Sequence, residues 1–121
     1  MDEPTKNSEA EDLTTDYANS VFFEASVWDL KIVFGEWSGQ TKSVDWHTSM
    51  TIPWAQAKLM AYYLAVNVRA HELRMGKIPF PDSMIPPEPQ PLAESEKGDA
   101  KAIAFHNMVK EYRRKFLDSL K

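Results

Sequence analysis

The sequence predicts an α+β protein: an antiparallel three-stranded sheet packed on one long helix, then a Pro-rich linker and a C-terminal amphipathic helix. Three observations predict it. Residues 44–52 alternate apolar and polar positions, the period of a half-buried strand. Two similar stretches precede them with short links between. Residues 54–75 then run without Gly or Pro between Pro53 and Gly76, residues that open and close helices.

Each element follows in order. Residues 1–16 hold six acids and one Lys with no apolar period, the composition of a disordered tail. Residues 17–25 form the first expected strand, with Tyr17, Val21, Phe23 and Ala25 on one side. The second places Trp28, Leu30, Ile32 and Phe34 on one face, and a short link around Ser26 favours a hairpin. Residues 35–42, with Gly35 and Gly39, read as the next turn and carry Trp37 within it. The third strand sets Val44, Trp46, Thr48, Met50 and Ile52 on one face against Asp45, His47, Ser49 and Thr51. The sheet and long helix make one domain over residues 17–78. Residues 79–99 form a linker whose six prolines exclude regular structure. Ile78, Phe80, Met84 and Ile85 suggest that the start of this segment is strapped to the domain surface. Residues 100–121 form the last helix, with Phe105, Met108, Val109, Tyr112, Phe116 and Leu120 on one face.

Composition narrows the function. The chain lacks cysteine, so disulfides, thiolate nucleophiles and Cys-based metal sites are excluded. Its start, Met1-Asp2-Glu3-Pro4, has neither the basic nor the apolar region of a signal peptide. The apolar run at 59–66 is far shorter than the roughly 20 residues that span a bilayer. A cytoplasmic protein with no membrane contact is expected. The net charge of −4 resides in the tail, because the other 105 residues sum to about +1.

The long helix points toward function. At 100° per residue, Trp54, Ala57, Met60, Ala61, Leu64, Ala65, Val68 and Met75 gather on one side. Ala55, Leu59, Tyr62, Tyr63, Val66, Ala70 and Leu73 gather on the other. A helix on one sheet needs a single apolar stripe. Burying one Leu or Val is worth roughly 1.5–3 kcal/mol, so the second stripe should be covered. The C-terminal helix, a second copy of the chain, or another protein would each serve.

Other constellations are weaker. Asp45 and His47 are two ligands on a strand face, short of the three or four a metal needs. No carboxylate pair, catalytic triad or phosphate-cradling loop has supporting context, so neither an enzyme nor a cofactor is expected. Lys110, Arg113, Arg114 and Lys115 could contact nucleic-acid phosphates, although Glu111 interrupts them and cations are favoured at helix C-termini in any case. Trp37 could anchor a partner or fold over the sheet edge.

Tyr17-Ala18-Asn19, Trp28-Asp29, Phe34-Gly35, Ile52-Pro53, Ala57-Lys58-Leu59, His71-Glu72 and Gly76-Lys77-Ile78 occur in that order. Over residues 17–78 this resembles a family of small prokaryotic proteins of unknown function. Its members show a Tyr-Ala-Asn start, an Asp-x-x-x-x-Phe-Gly strand, a Pro-x-x-Ala-Lys helix start and a Glu-x-x-x-Gly-x-Ile helix end. The resemblance implies a one-domain cytoplasmic protein and no activity. His71-Glu72 stands where the family commonly has Tyr-Glu, and the Pro-rich and basic C-terminal segments extend beyond it. Of the matching polar positions, Asn19 would satisfy a turn, Asp29 would cap a hairpin, and Lys58 and Glu72 would secure the helix ends.

The leading expectation is therefore a non-catalytic protein-interaction module, a homodimer or oligomer. It would use Leu59, Tyr62, Tyr63, Val66, Ala70 and Leu73, with Trp37. The alternatives are a nucleic-acid-associated accessory protein using the basic helix, and a chaperone-like binder of unfolded segments.

Overall fold

The computed structural model describes residues 13–121. The expected tail lies outside this range except for residues 13–16, which take no regular structure. Strands β1 (Ser20–Ala25), β2 (Asp29–Ser38) and β3 (Ser43–Pro53) precede helices α1 (Trp54–Met75) and α2 (Ala100–Ser119). The sheet is antiparallel in the order β1-β2-β3, so the fold is α+β. The chain divides into two compact units, one ending at Ala65 and one running from Val66 to Lys121.

The β1–β2 turn is built by Ser26. Its Oγ accepts from the amides of Trp28 and Asp29 and donates to Asp29 Oδ1 at 3.0 Å, a side chain standing in for backbone in a tight turn. Trp28 lies in this turn, 83% exposed, and not on the strand face expected for it. Asn19 secures the other end of β1. Its amide donates to Gly35 O, and its Oδ1 accepts from the Trp37 amide at 2.9 Å. The second turn is shorter than the sequence suggests. β2 continues through Gly35 to Ser38, and Lys42 takes the left-handed conformation at φ 53°.

Register shows which side chains share a face, because the period along a strand is two. Val21, Phe23 and Ala25 oppose Phe34, Ile32 and Leu30, which oppose Thr48, Met50 and Ile52. Met60 and Leu64 of α1 meet this face along a cleft of about 430 Å³, lined also by Val21, Phe23, Ile32 and Phe34. A β-bulge then breaks the alternation of β3. Phe34 pairs with Thr48, but the next residue, Gly35, pairs with Trp46, leaving His47 as the extra residue. Trp46 and Val44 therefore lie on the face opposite Thr48, Met50 and Ile52, which corrects the single five-residue face expected from the sequence.

Gly35 is required at this crossing. A Cβ there would fall 2.6 Å from the Trp46 ring and 2.7 Å from Asp45 O. Among the described residues the buried apolar side chains are Ile32 and Val33, neighbours on β2 that point to opposite faces.

α1 has 22 residues and extends about 33 Å. Trp54 Nε1 donates to Ser26 O at 2.9 Å, tying the helix start to the first hairpin. Gly76, at φ 89°, ends the helix, its amide donating to Glu72 O. Glu72 Oε2 accepts from the Ile78 amide.

In the second unit Asp99 caps α2 by accepting from the Lys101 and Ala102 amides. The Pro-rich segment runs antiparallel along α2. Lys77 Nζ donates to Ser119 O, Phe80 meets Phe116 edge-on at 5.2 Å, and Arg113 Nε donates to Pro86 O at 3.0 Å. Pro89, Pro91 and Leu92 continue along Phe105, His106 and Val109. The strap thus follows α2 for most of its length. It contains single 3-10 turns at Asp82–Met84 and Glu94–Glu96. The half-buried side of α2 includes His106, Val109, Arg113, Phe116 and Leu120. It is rotated from the face expected on apolar periodicity, and Phe105, Met108 and Tyr112 stay exposed. The strap recruits the stem of Arg113 by bonding its guanidinium, which apolar spacing cannot anticipate.

Substituting Gly35→Ala should cost about 1–3 kcal/mol by overpacking against Trp46. Gly39→Ala, whose Cβ would meet nothing within 4 Å, should stay within about 0.5 kcal/mol. Denaturant unfolding of the two variants checks this pair.

Candidate interaction surfaces

No side chain of α1 is buried. On the stripe singled out from the sequence, Leu59 is 40% exposed, Tyr62 62%, Tyr63 54%, Val66 45% and Leu73 69%. Ala70 is half-buried. Tyr62 and Tyr63 pack edge-on with ring centres 5.3 Å apart. The opposite stripe is also open, since Leu64, Val68 and Met75 are all exposed. The helix therefore presents apolar surface around most of its circumference.

Trp37 lies in β2 and not in a turn, which corrects its expected placement. It opposes Val44, and Val44 and Trp46 both approach Gly35 from one side. Phe22, opposite Val33, meets Trp46 edge-on at 4.7 Å. Phe22, Trp37, Val44 and Trp46 thus make an apolar patch on the sheet face away from Met60 and Leu64, with Trp37 and Trp46 exposed. Sequence periodicity missed this patch because strict alternation assigns Trp46 to the other face. Gly35 within an otherwise apolar strand was the available signal for a bulge or close approach.

The polar candidates are occupied structurally. His47 Nε2 is 3.1 Å from Tyr17 O, and its Nδ1 is 2.8 Å from Thr48 Oγ1. Asp45 pairs directly with Glu36 across the ladder. Among the described residues no three His, Asp or Glu side chains group to hold a metal ion, and no helix is long and apolar enough to cross a membrane. Asn19, Asp29 and Glu72 all hold backbone or turn geometry, as described above.

The basic run separates into different environments. Arg114 Nη1 donates to Asp118 at 3.0 Å, and its Nε donates to Glu111 at 3.1 Å. The hydrogen bond from Arg114 holds the Glu111 carboxyl below the usual carboxylate range and raises Arg114 in return. Because the Glu111 value is lowered, the contribution of this pair is complete above the ordinary carboxylate range. It fades as acid takes pH down through the lowered value. Arg113 bonds Pro86 O and lies 3.9 Å from Glu88. Lys110 lines a cleft with His106 and Arg113, and Lys115 extends from the far side of α2. The four cations do not form one strip.

Compared with family models, with curated proteins and with solved structures, the chain matches none.

Asp45 and Glu36 are like charges directly opposed, a destabilising cross-strand arrangement. Asp45→Lys should raise stability by about 0.2–1 kcal/mol, read as a higher denaturation midpoint at low salt and a smaller gain at high salt.

Proposed function

We propose that this chain is a non-catalytic interaction module that pairs with a second copy of itself through α1. One observation supports this reading above the rest: α1 carries Leu59, Tyr62, Tyr63, Val66 and Leu73 on one side, and none of them is buried. A helix that is apolar on opposite sides is the pattern of a buried helix, not of a surface one.

The arrangement of the stripe favours a second copy as the occupant. In a two-fold contact each residue meets a symmetry-related position. The stripe is nearly symmetric about residue 64, since Ala55 and Leu73, and Tyr62 and Val66, lie at equal distances on either side, and Leu59 and Ala70 miss it by one residue. Two such helices packed antiparallel would set Tyr62 against Val66 of the partner. The exposed parts of these side chains amount to roughly 600 Å², approaching the about 800 Å² per partner of a standard stable interface. The setting we propose is the cytoplasm, which the absence of cysteine fits.

Light scattering at concentrations on the order of tens of micromolar should give a dimer, the species expected for a micromolar or tighter contact. Tyr63→Asp with Val66→Asp should yield monomer with unchanged helix content by circular dichroism. A native chain that stays monomeric removes the homodimer. A variant that remains dimeric moves the contact away from this stripe.

A further inference from the structure

His106, Lys110 and Arg113 recur at i, i+4 and i+7 on α2, so they stack along one side of the helix. Glu88, Pro89 and Pro91 of the strap line the same cleft, whose volume is about 410 Å³. Two features separate this place from an ordinary solvated basic face. On another side of α2 Arg114 is held between Glu111 and Asp118. In the cleft, three basic side chains face one carboxylate. That carboxylate, Glu88, is 83% exposed and its Oε1 is 3.9 Å from Arg113 Nη1, beyond hydrogen-bond reach. Arg113 is also anchored, because its Nε donates to Pro86 O and its side chain is 23% exposed. A guanidinium held in this way loses little freedom on meeting a ligand.

We propose that this cleft binds a phosphate-type oxyanion, carried as free phosphate or as the monoester of a small molecule. Lys110 and the Nη edge of Arg113 supply charged donors, and His106 supplies a third donor from one turn away. Three donors arriving from separate points on two turns of helix suit the several oxygens of a tetrahedral anion better than a planar carboxylate. Proline walls contribute no N–H and hold their shape, leaving α2 as the source of donors. Glu88 is the internal competitor that the ligand displaces. This site does not depend on pairing through α1.

The test titrates inorganic phosphate, phosphoserine and serine into the full chain, with binding followed by amide and imidazole chemical shifts. Phosphate or phosphoserine, but not serine, should shift the signals of His106, Lys110 and Arg113. Stronger binding of phosphoserine identifies a monoester as the ligand, and equal binding identifies the free anion. Lys110→Gln should weaken binding about tenfold, the value of one charged hydrogen bond. Glu88→Gln should tighten it. Lys115→Gln, half a turn around α2 from His106, should change it less than about twofold. Both Lys110 and Glu88 are exposed, so these variants keep the fold. The proposal is overturned if no shift appears at concentrations that saturate a millimolar site. It is equally overturned if Lys115→Gln weakens binding as much as Lys110→Gln, or if Glu88→Gln fails to tighten it. A response to single-stranded oligonucleotide alone would mean diffuse attraction for a polyanion, and would also overturn it.

Discussion

β2 is the strand on which the first unit depends. It is flanked on both sides, so its backbone groups serve two ladders, and it holds the buried apolar side chains found among the described residues, Ile32 and Val33. Those neighbours face opposite ways, so each side of the sheet has a buried point on β2 with more open residues around it. Three strands with one helix alongside offer little interior. Much of the apolar content of the chain therefore remains at the surface.

Gly35 lets this arrangement exist. Its missing Cβ allows Trp46 and Val44 to close over β2 where the register shifts. One side of the sheet below the bulge then carries Phe23, Ile32 and Met50, and the other carries Phe22, Trp37 and Trp46. Asn19 supports the same region by extending its side chain to the Trp37 amide. A single backbone irregularity thus divides the aromatic residues between two faces.

The strap plays a comparable part in the second unit. Proline cannot donate to a ladder, so the segment between the helices is held by side chains reaching to its carbonyls and by ring contacts, as in Arg113 to Pro86 and Phe80 to Phe116. This draws His106 and Arg113 to the packed side of α2 and leaves Phe105, Met108 and Tyr112 in the open. Helical spacing separates the basic residues, pairing Arg114 with Glu111 and Asp118 and aligning Lys110 with His106 and Arg113 beside the strap.

Local chemistry made much of the fold legible. Pro53 and Gly76 bracket α1, apolar spacing over residues 100–120 marks α2, and the alternation at 48–52 marks the face that Ile32 shares. The two-sided character of α1 follows from residue spacing alone. The end of β2, the position of Trp46 and the packed side of α2 were not legible, and each has a physical cause. A bulge shifts register by one residue without changing composition, and the left-handed residue of the second turn is Lys42, not a glycine. The strap selects a face of α2 by a hydrogen bond to a carbonyl, which apolar periodicity does not encode. By itself the sequence determined the elements, their order and the apolar sides of the long helix, because these depend on neighbours three or four positions away. The tertiary structure alone decided which aromatic residues share a face and which side of α2 the strap covers, because these depend on pairings between residues far apart in the chain.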